Sequence, residues 1–192
     1  MPHDLQRRHL LRALPLTAAG LLLAAKEGVA QQRPNGSQRV LVAYFTRTGN
    51  TEVIARQIRR AQEASLFRIE PATPYPEDYA LTVAQARSET QSGYLPPLAQ
   101  VVADIGRYRT IYLGFPIWGM TVPPVVRSFL RAHDLSGKTV VPFITHGGYG
   151  IGNSTEILQS FATGAELAPA FTMEADQERR TLEQVTGWLS RK

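Results

Sequence analysis

Val40-Leu41-Val42-Ala43-Tyr44-Phe45-Thr46-Arg47-Thr48-Gly49-Asn50-Thr51 is the stretch on which the fold turns. Its first six residues form a continuous apolar run rich in strand formers, the pattern of a strand buried on both faces of a parallel sheet. The last six are polar. Behind them Val53, Ile54, Gln57, Ile58 and Ala61 recur at helical spacing with arginines between them, so the chain passes from strand through a short loop into an amphipathic helix.

Working outward, the same succession returns. Residues 65–69 read as a second strand, after which Pro71, Pro74 and Pro76 forbid regular structure. A helix is predicted over 79–90, and Gly93, Pro96 and Pro97 break the chain again. Residues 110–115 form the next strand, closed by Pro116, and a helix over 122–132 carries Pro123 and Pro124 in its first turn, where a missing N–H costs little. A strand over 139–145 runs into a glycine-rich loop. A helix over about 154–162 follows, with Asn153 or Ser154 as its cap. A fifth strand is predicted over 166–171, edge-like because Pro169 cannot serve a central ladder, and a helix over 177–189 closes the chain. Five strands alternating with helices predict a doubly wound α/β sheet. There is no internal repeat.

The composition agrees with a globular domain: 192 residues, 43% hydrophobic and 19% charged, with 13 prolines and 15 glycines. With no cysteine, disulfides, thiolate metal sites, iron–sulfur clusters and a cysteine nucleophile are all excluded, and redox chemistry would have to come from a bound cofactor. The formal net charge is +5, which invites a nucleic-acid reading. The positive charges are scattered among acids with no aromatic and basic stripe, so nucleic acid is not an expected partner.

The first thirty residues read as an export signal. A charged start is followed by a thirteen-residue apolar run, Ala13 to Ala25, and by small residues at Gly28 and Ala30, which place cleavage near Ala30. The run is shorter than the about 20 apolar residues of a membrane span and contains Pro15 and Gly20, so no permanent membrane anchor is expected. Arg7-Arg8-His9-Leu10-Leu11-Arg12 resembles the twin-arginine export motif, with Gln6 where that motif usually has Ser or Thr. An ordinary secretory signal and a cytoplasmic amphipathic helix are the alternatives. The twin-arginine reading implies delivery of a folded, cofactor-loaded protein to the periplasm. Residues 31–38 form a polar leader, and the domain spans 39–192. Residues 1–30 carry Arg7, Arg8, Arg12 and Lys26 against Asp4 and Glu27, so the remaining chain has 17 basic and 14 acidic residues, a net +3.

In a doubly wound sheet a ligand sits beyond the C-terminal ends of the strands, where strand order reverses. Three loops should meet there. Thr46, Arg47, Thr48, Gly49, Asn50 and Thr51 lead from a strand into a helix N-terminus, with outward N–H groups, hydroxyl and amide donors and a glycine that permits close approach. The loop suits a phosphate, but it lacks the lysine of a P-loop and the glycine pattern of a dinucleotide fold. A plain turn with a threonine cap is the alternative. Pro116, Ile117, Trp118 and Gly119 place an indole at a strand end, where a flat ligand would stack or where the ring would simply cap the core. Thr145, His146, Gly147, Gly148, Tyr149 and Gly150 can offer backbone donors and a second aromatic wall, or can form a surface loop with a structural histidine.

These residues together resemble the flavodoxin family. Thr46-Arg47-Thr48-Gly49-Asn50-Thr51 looks like its T/S-x-T-G-x-T phosphate loop, and Gly114-Phe115-Pro116-Ile117-Trp118-Gly119 and Thr145-His146-Gly147-Gly148-Tyr149-Gly150 look like its two flavin-ring loops. The resemblance covers about residues 39–190 with order and spacing intact. It implies a five-stranded sheet of order 2-1-3-4-5 and flavin mononucleotide (FMN) held without a covalent bond. The phosphate would lie on residues 46–51, Trp118 would stack on the isoalloxazine, and the Gly119 peptide would turn toward N5 on reduction. Residues 145–150 would meet the pyrimidine edge.

The function so implied is an exported FMN electron carrier. An FMN-dependent NAD(P)H:quinone oxidoreductase is the alternative, for which Tyr75, Tyr79, Arg87 and Tyr94 in the long 71–98 segment could wall a second flat substrate. A flavin-free interaction domain is the third. Flavodoxins are typically acidic, so the basic chain points to a redox partner with an acidic docking surface.

Overall fold

The computed structural model describes residues 40–174 and 178–191. The expected export signal and leader, residues 1–38, lie outside the described residues, as do Arg39 and Gln177 at the expected element ends. In chain order the elements are β1 (Val40–Tyr44), α1 (Asn50–Ala61), β2 (Ser65–Arg68), α2 (Tyr79–Ser92), β3 (Thr110–Pro116), α3 (Pro124–Ala132), β4 (Thr139–His146), α4 (Ser154–Phe161), β5 (Glu166–Leu167), β6 (Phe171–Glu174) and α5 (Glu178–Leu189). All pairings between these strands are parallel, in the order β2-β1-β3-β4-β5, with β6 also on β4.

The period-2 alternation of side chains divides the core in two. Leu41 and Ala43 of β1 join Ile111, Leu113 and Phe115 of β3 against Val126, Phe129 and Leu130 of α3 and Leu158 of α4. Val42 and Tyr44 face the other way, with Tyr112 and Phe143, onto Ile54 and Ile58 of α1 and Val185 and Trp188 of α5. Burial on both faces is the reason β1, β3 and β4 read as unbroken apolar runs. Gly114 lies opposite Phe143 in the β3–β4 register, and a Cβ at Gly114 would stand 2.0 Å from that ring. The missing side chain is the space the phenyl ring fills.

The predicted fifth strand over 166–171 is corrected by the structure. It is two short strands on one edge of β4, with Ala168, Pro169 and Ala170 between them. Thr139 and Val140 pair with Glu166 and Leu167, an offset one residue smaller than that of Phe143 through His146 with Phe171 through Glu174. One extra residue therefore bulges out of the edge. Ala168 N–H donates to the Val140 carbonyl, so strand alternation turns the nitrogen of Pro142 to this same side. Neither Pro142 nor Pro169 has a donor to offer, and the ladder breaks where they face.

The segment between β2 and β3 is built around α2. Asp78 caps it by accepting the Leu81 N–H at 2.9 Å, and Gly93 ends it in the left-handed conformation at φ 70°. Pro123 and Pro124 stand at the cap and the first position of α3, as their chemistry predicts. His133, buried at the end of α3, accepts the Val102 N–H on Nε2 at 2.9 Å, and its Nδ1 lies 2.7 Å from the Phe129 carbonyl. The neutral tautomer with Nδ1 protonated satisfies both contacts.

Candidate functional site

The loops after β1, β3 and β4 meet at the C-terminal edge of the sheet, around a cleft of about 500 Å³. Thr46, Arg47, Thr48, Asn50 and Thr51 line it from the first loop, Pro116, Ile117, Trp118 and Gly119 from the second, and Thr145, His146 and Gly147 from the third. Gly148, Tyr149 and Gly150 do not line it. Tyr149 is 85% exposed, so the second aromatic wall expected from it is not in place.

The first loop is folded to leave donors free. Thr46 Oγ1 accepts the Gly49 N–H at 3.0 Å, and Gly49, at φ 95°, turns the chain into α1 with open space where a Cβ would be. Among the described residues no protein group accepts the N–H of Arg47, Thr48, Asn50, Thr51 or Glu52. Five unpaired amides at the positive end of a twelve-residue helix form a fitting seat for a phosphate. The buried hydroxyls of Thr51 and Thr145 bond to each other at 2.9 Å and tie this loop to the third.

Trp118 opens a tight two-residue turn in which its N–H and carbonyl both pair with Thr121 at 3.2 Å. Gly119 and Met120 occupy positive φ, 57° and 64°, which is the type I′ geometry and is strained for a methionine. The indole stands edge-on to Phe45 and Tyr75, with ring centroids 5.0 and 4.9 Å away. Tyr75 donates to the buried carboxylate of Glu89 at 2.7 Å, and burial first, then that bond, pushes its hydroxyl pKa upward. Beneath the turn Arg127 donates to the Val122 carbonyl and to Thr121 Oγ1, both at 2.9 Å, and burial lowers its pKa.

The second and third loops are locked together. Ile117 N–H donates to the Thr145 carbonyl at 2.8 Å and Asn153 N–H to the Met120 carbonyl at 3.1 Å. His146 Nδ1 accepts the Gly148 N–H at 3.1 Å, a bond that shapes its own loop.

One wall of the cleft comes from α2. Tyr79, Thr82, Val83, Ala86, Arg87, Thr90 and Gln91 line the cleft at successive helical turns. Tyr79 and Arg87 were expected there, but Thr82, Val83, Ala86, Thr90 and Gln91 were not; their spacing of three and four residues was the available signal. Tyr75 instead lines a second cavity of about 570 Å³, which shares Thr46, Arg47 and Trp118 with the first, and Tyr94 lines neither. Arg47 fastens the two parts: its guanidinium donates to the Glu77 carbonyl at 2.6 Å and lies 5.6 Å from the centre of the Tyr79 ring. Among the described residues no cluster of His, Asp and Glu is placed to hold a metal, and no helix is long and apolar enough to cross a membrane.

Residues 39–192 match the family described as Flavodoxin. The chain belongs to the flavodoxin family. Solved structures share its fold. A candidate flavoprotein from Bacteroides eggerthii is 30% identical, with 80% of this chain and 96% of that one covered and a TM-score of 0.68. Another from Bacteroides uniformis is 29% identical over 78% of this chain and 99% of that one, with a TM-score of 0.66. A flavoprotein from Lactobacillus acidophilus, solved in complex with FMN, shares the fold at 19% identity, 76% and 99% coverage and a TM-score of 0.63. No curated protein matches the chain. This flavodoxin-family chain has its polar and glycine-rich loops at the three expected strand ends, together with a helical wall from the segment between β2 and β3.

Proposed function

We propose that this flavodoxin-family chain binds FMN without a covalent bond and works as an exported electron carrier. The observation that carries the reading is the set of five unpaired amides at the start of α1, four of them on residues that line the same cleft that Trp118 walls. A phosphate on those amides leaves the indole to cover a ring system. Bound FMN would supply the redox chemistry that a chain without cysteine does not have. Residues 46–51 would hold the phosphate, Trp118 would stack and Gly119 would lend a mobile peptide. Thr145, His146 and Gly147 would border the ring. The basic balance of the chain favours a redox partner with an acidic docking surface.

The visible spectrum of the purified protein, with chromatographic identification of any released flavin, tests the cofactor. A yellow protein releasing FMN is expected; a colourless protein that takes up none overturns the reading in favour of a flavin-free interaction domain. Export through the twin-arginine route to the periplasm is tested by fractionation after changing Arg7→Lys and Arg8→Lys. Loss of periplasmic delivery is expected, and unaltered delivery argues against that route.

The helical wall supports a second reading, an FMN-dependent NAD(P)H:quinone oxidoreductase, because α2 encloses room beside the proposed ring position. Holoprotein that oxidises NAD(P)H rapidly with a quinone and no partner protein would replace the carrier reading with this one.

A further inference from the structure

The charge of the cleft lining is one-sided. Among the described residues it contains Arg47 and Arg87 and no Asp or Glu. Two acids close to it in sequence are turned to other work: Glu89 is buried on Tyr75 and Gln85, and Glu52 pairs with Arg56 along α1. Arg47 is already engaged with the Glu77 carbonyl and the Tyr79 ring. Arg87 has no hydrogen-bond or ion-pair partner among the described residues, and it is exposed at the cleft. It stands eight residues along α2 from Tyr79, about 12 Å at the helical rise, so it is set well apart from the contact between Arg47 and the start of α2. The phosphate seat at α1 has five amides of its own and does not need it. Beside the cation, one helical turn back or less, α2 offers the cleft Val83 and the small Ala86, an apolar strip that suits the face of an aromatic ring.

We propose that Arg87 is the specificity residue for a second ligand of this cleft, a flat aromatic electron acceptor that carries an anionic group, such as a quinone acid. The inference rests on the proposed FMN site and deepens it: the ring of the acceptor lies along Val83 and Ala86 and its anionic group meets the planar guanidinium. Arg87 takes no part in holding FMN.

The test is equilibrium dialysis of the FMN-loaded protein at low salt against anthraquinone-2-sulfonate and its uncharged analogue 2-(hydroxymethyl)anthraquinone. The sulfonate is expected to bind about tenfold more tightly, the scale of one charge-assisted contact. In Arg87→Gln that preference should vanish with FMN retention unchanged, and in Arg87→Lys part of it should return. Equal binding of the two quinones by the native protein overturns the proposal, as does a preference that survives in Arg87→Gln. Loss of FMN from Arg87→Gln also overturns it, because the arginine would then belong to the cofactor. A native protein that takes up no FMN overturns both this inference and the proposed function, and its colourless spectrum distinguishes that failure from the others.

Discussion

Gly152 sets the distance between two of the three loops. It sits at φ 54°, and a Cβ there would lie 1.9 Å from the Met120 carbonyl oxygen, the same oxygen that accepts the Asn153 N–H. In Gly152→Ala the loops must part. The strained backbone alone costs about 1–3 kcal/mol, and the broken contact adds to it, so a drop of at least that size is expected in chemical denaturation, with weaker FMN retention alongside. Trp118 answers to a different measurement. Its ring packs on Phe45 and Tyr75 by edges, so Trp118→Ala should lower FMN affinity by about tenfold or more, the scale of aromatic stacking on a flat ring. Unchanged affinity in a flavin titration would remove the residue from the site. Neither the obligate glycine nor the edge-on aromatic trio can be read from neighbouring residues in the sequence, because each depends on a residue of a different loop.

At the scale of elements, α2 shows what the sequence reading could and could not settle. Its ends were legible: proline runs and a glycine bound it, and Asp78 supplies the cap. Its orientation was not. The helix has no continuous apolar face and buries only Thr82, Ala86 and Glu89, so periodicity could not say which side meets the cleft. The edge of the sheet shows the same limit, since Pro169 marked a weak strand while the bulge depends on Pro142 across the ladder. His133 ties the segment that follows α2 to α3 through the Val102 N–H. Burial lowers its pKa from 6.5, so the unfolded chain takes up a proton at a higher pH than the native one. The contribution is therefore complete above pH 6.5 and declines as the pH falls through 6.5 to the lower native value. Denaturation midpoints measured from pH 8 to pH 5 should fall on the acid side. In His133→Ala the stability should be lower throughout, from the unpartnered Val102 N–H, and this acid-side loss should be smaller.

For the whole molecule, the ligand seat and the stability of the fold are linked. Free amides and a cationic cleft at one edge of the sheet are occupied only when ligand is bound, so FMN should stabilise the native state by mass action. At 100 times its dissociation constant the gain is about 2.7 kcal/mol, or roughly 5–10 °C in the unfolding midpoint of a domain this size. A thermal scan with and without added FMN checks it, and an unmoved midpoint counts against binding. The sequence by itself determined the succession of strands and helices, because burial on both faces demands unbroken apolar runs and helices demand their own period. It also placed the polar and glycine-rich loops at three strand ends. Tertiary structure decided what those loops do: it brought Thr51 to Thr145 and Met120 to Asn153, turned Tyr149 out to solvent, split the edge strand and set Arg87 of α2 on the cleft. The physical reason is range. Strand and helix patterns arise between residues a few positions apart, whereas a binding cleft is made by side chains that meet only after the sheet has closed and the crossovers have docked on it.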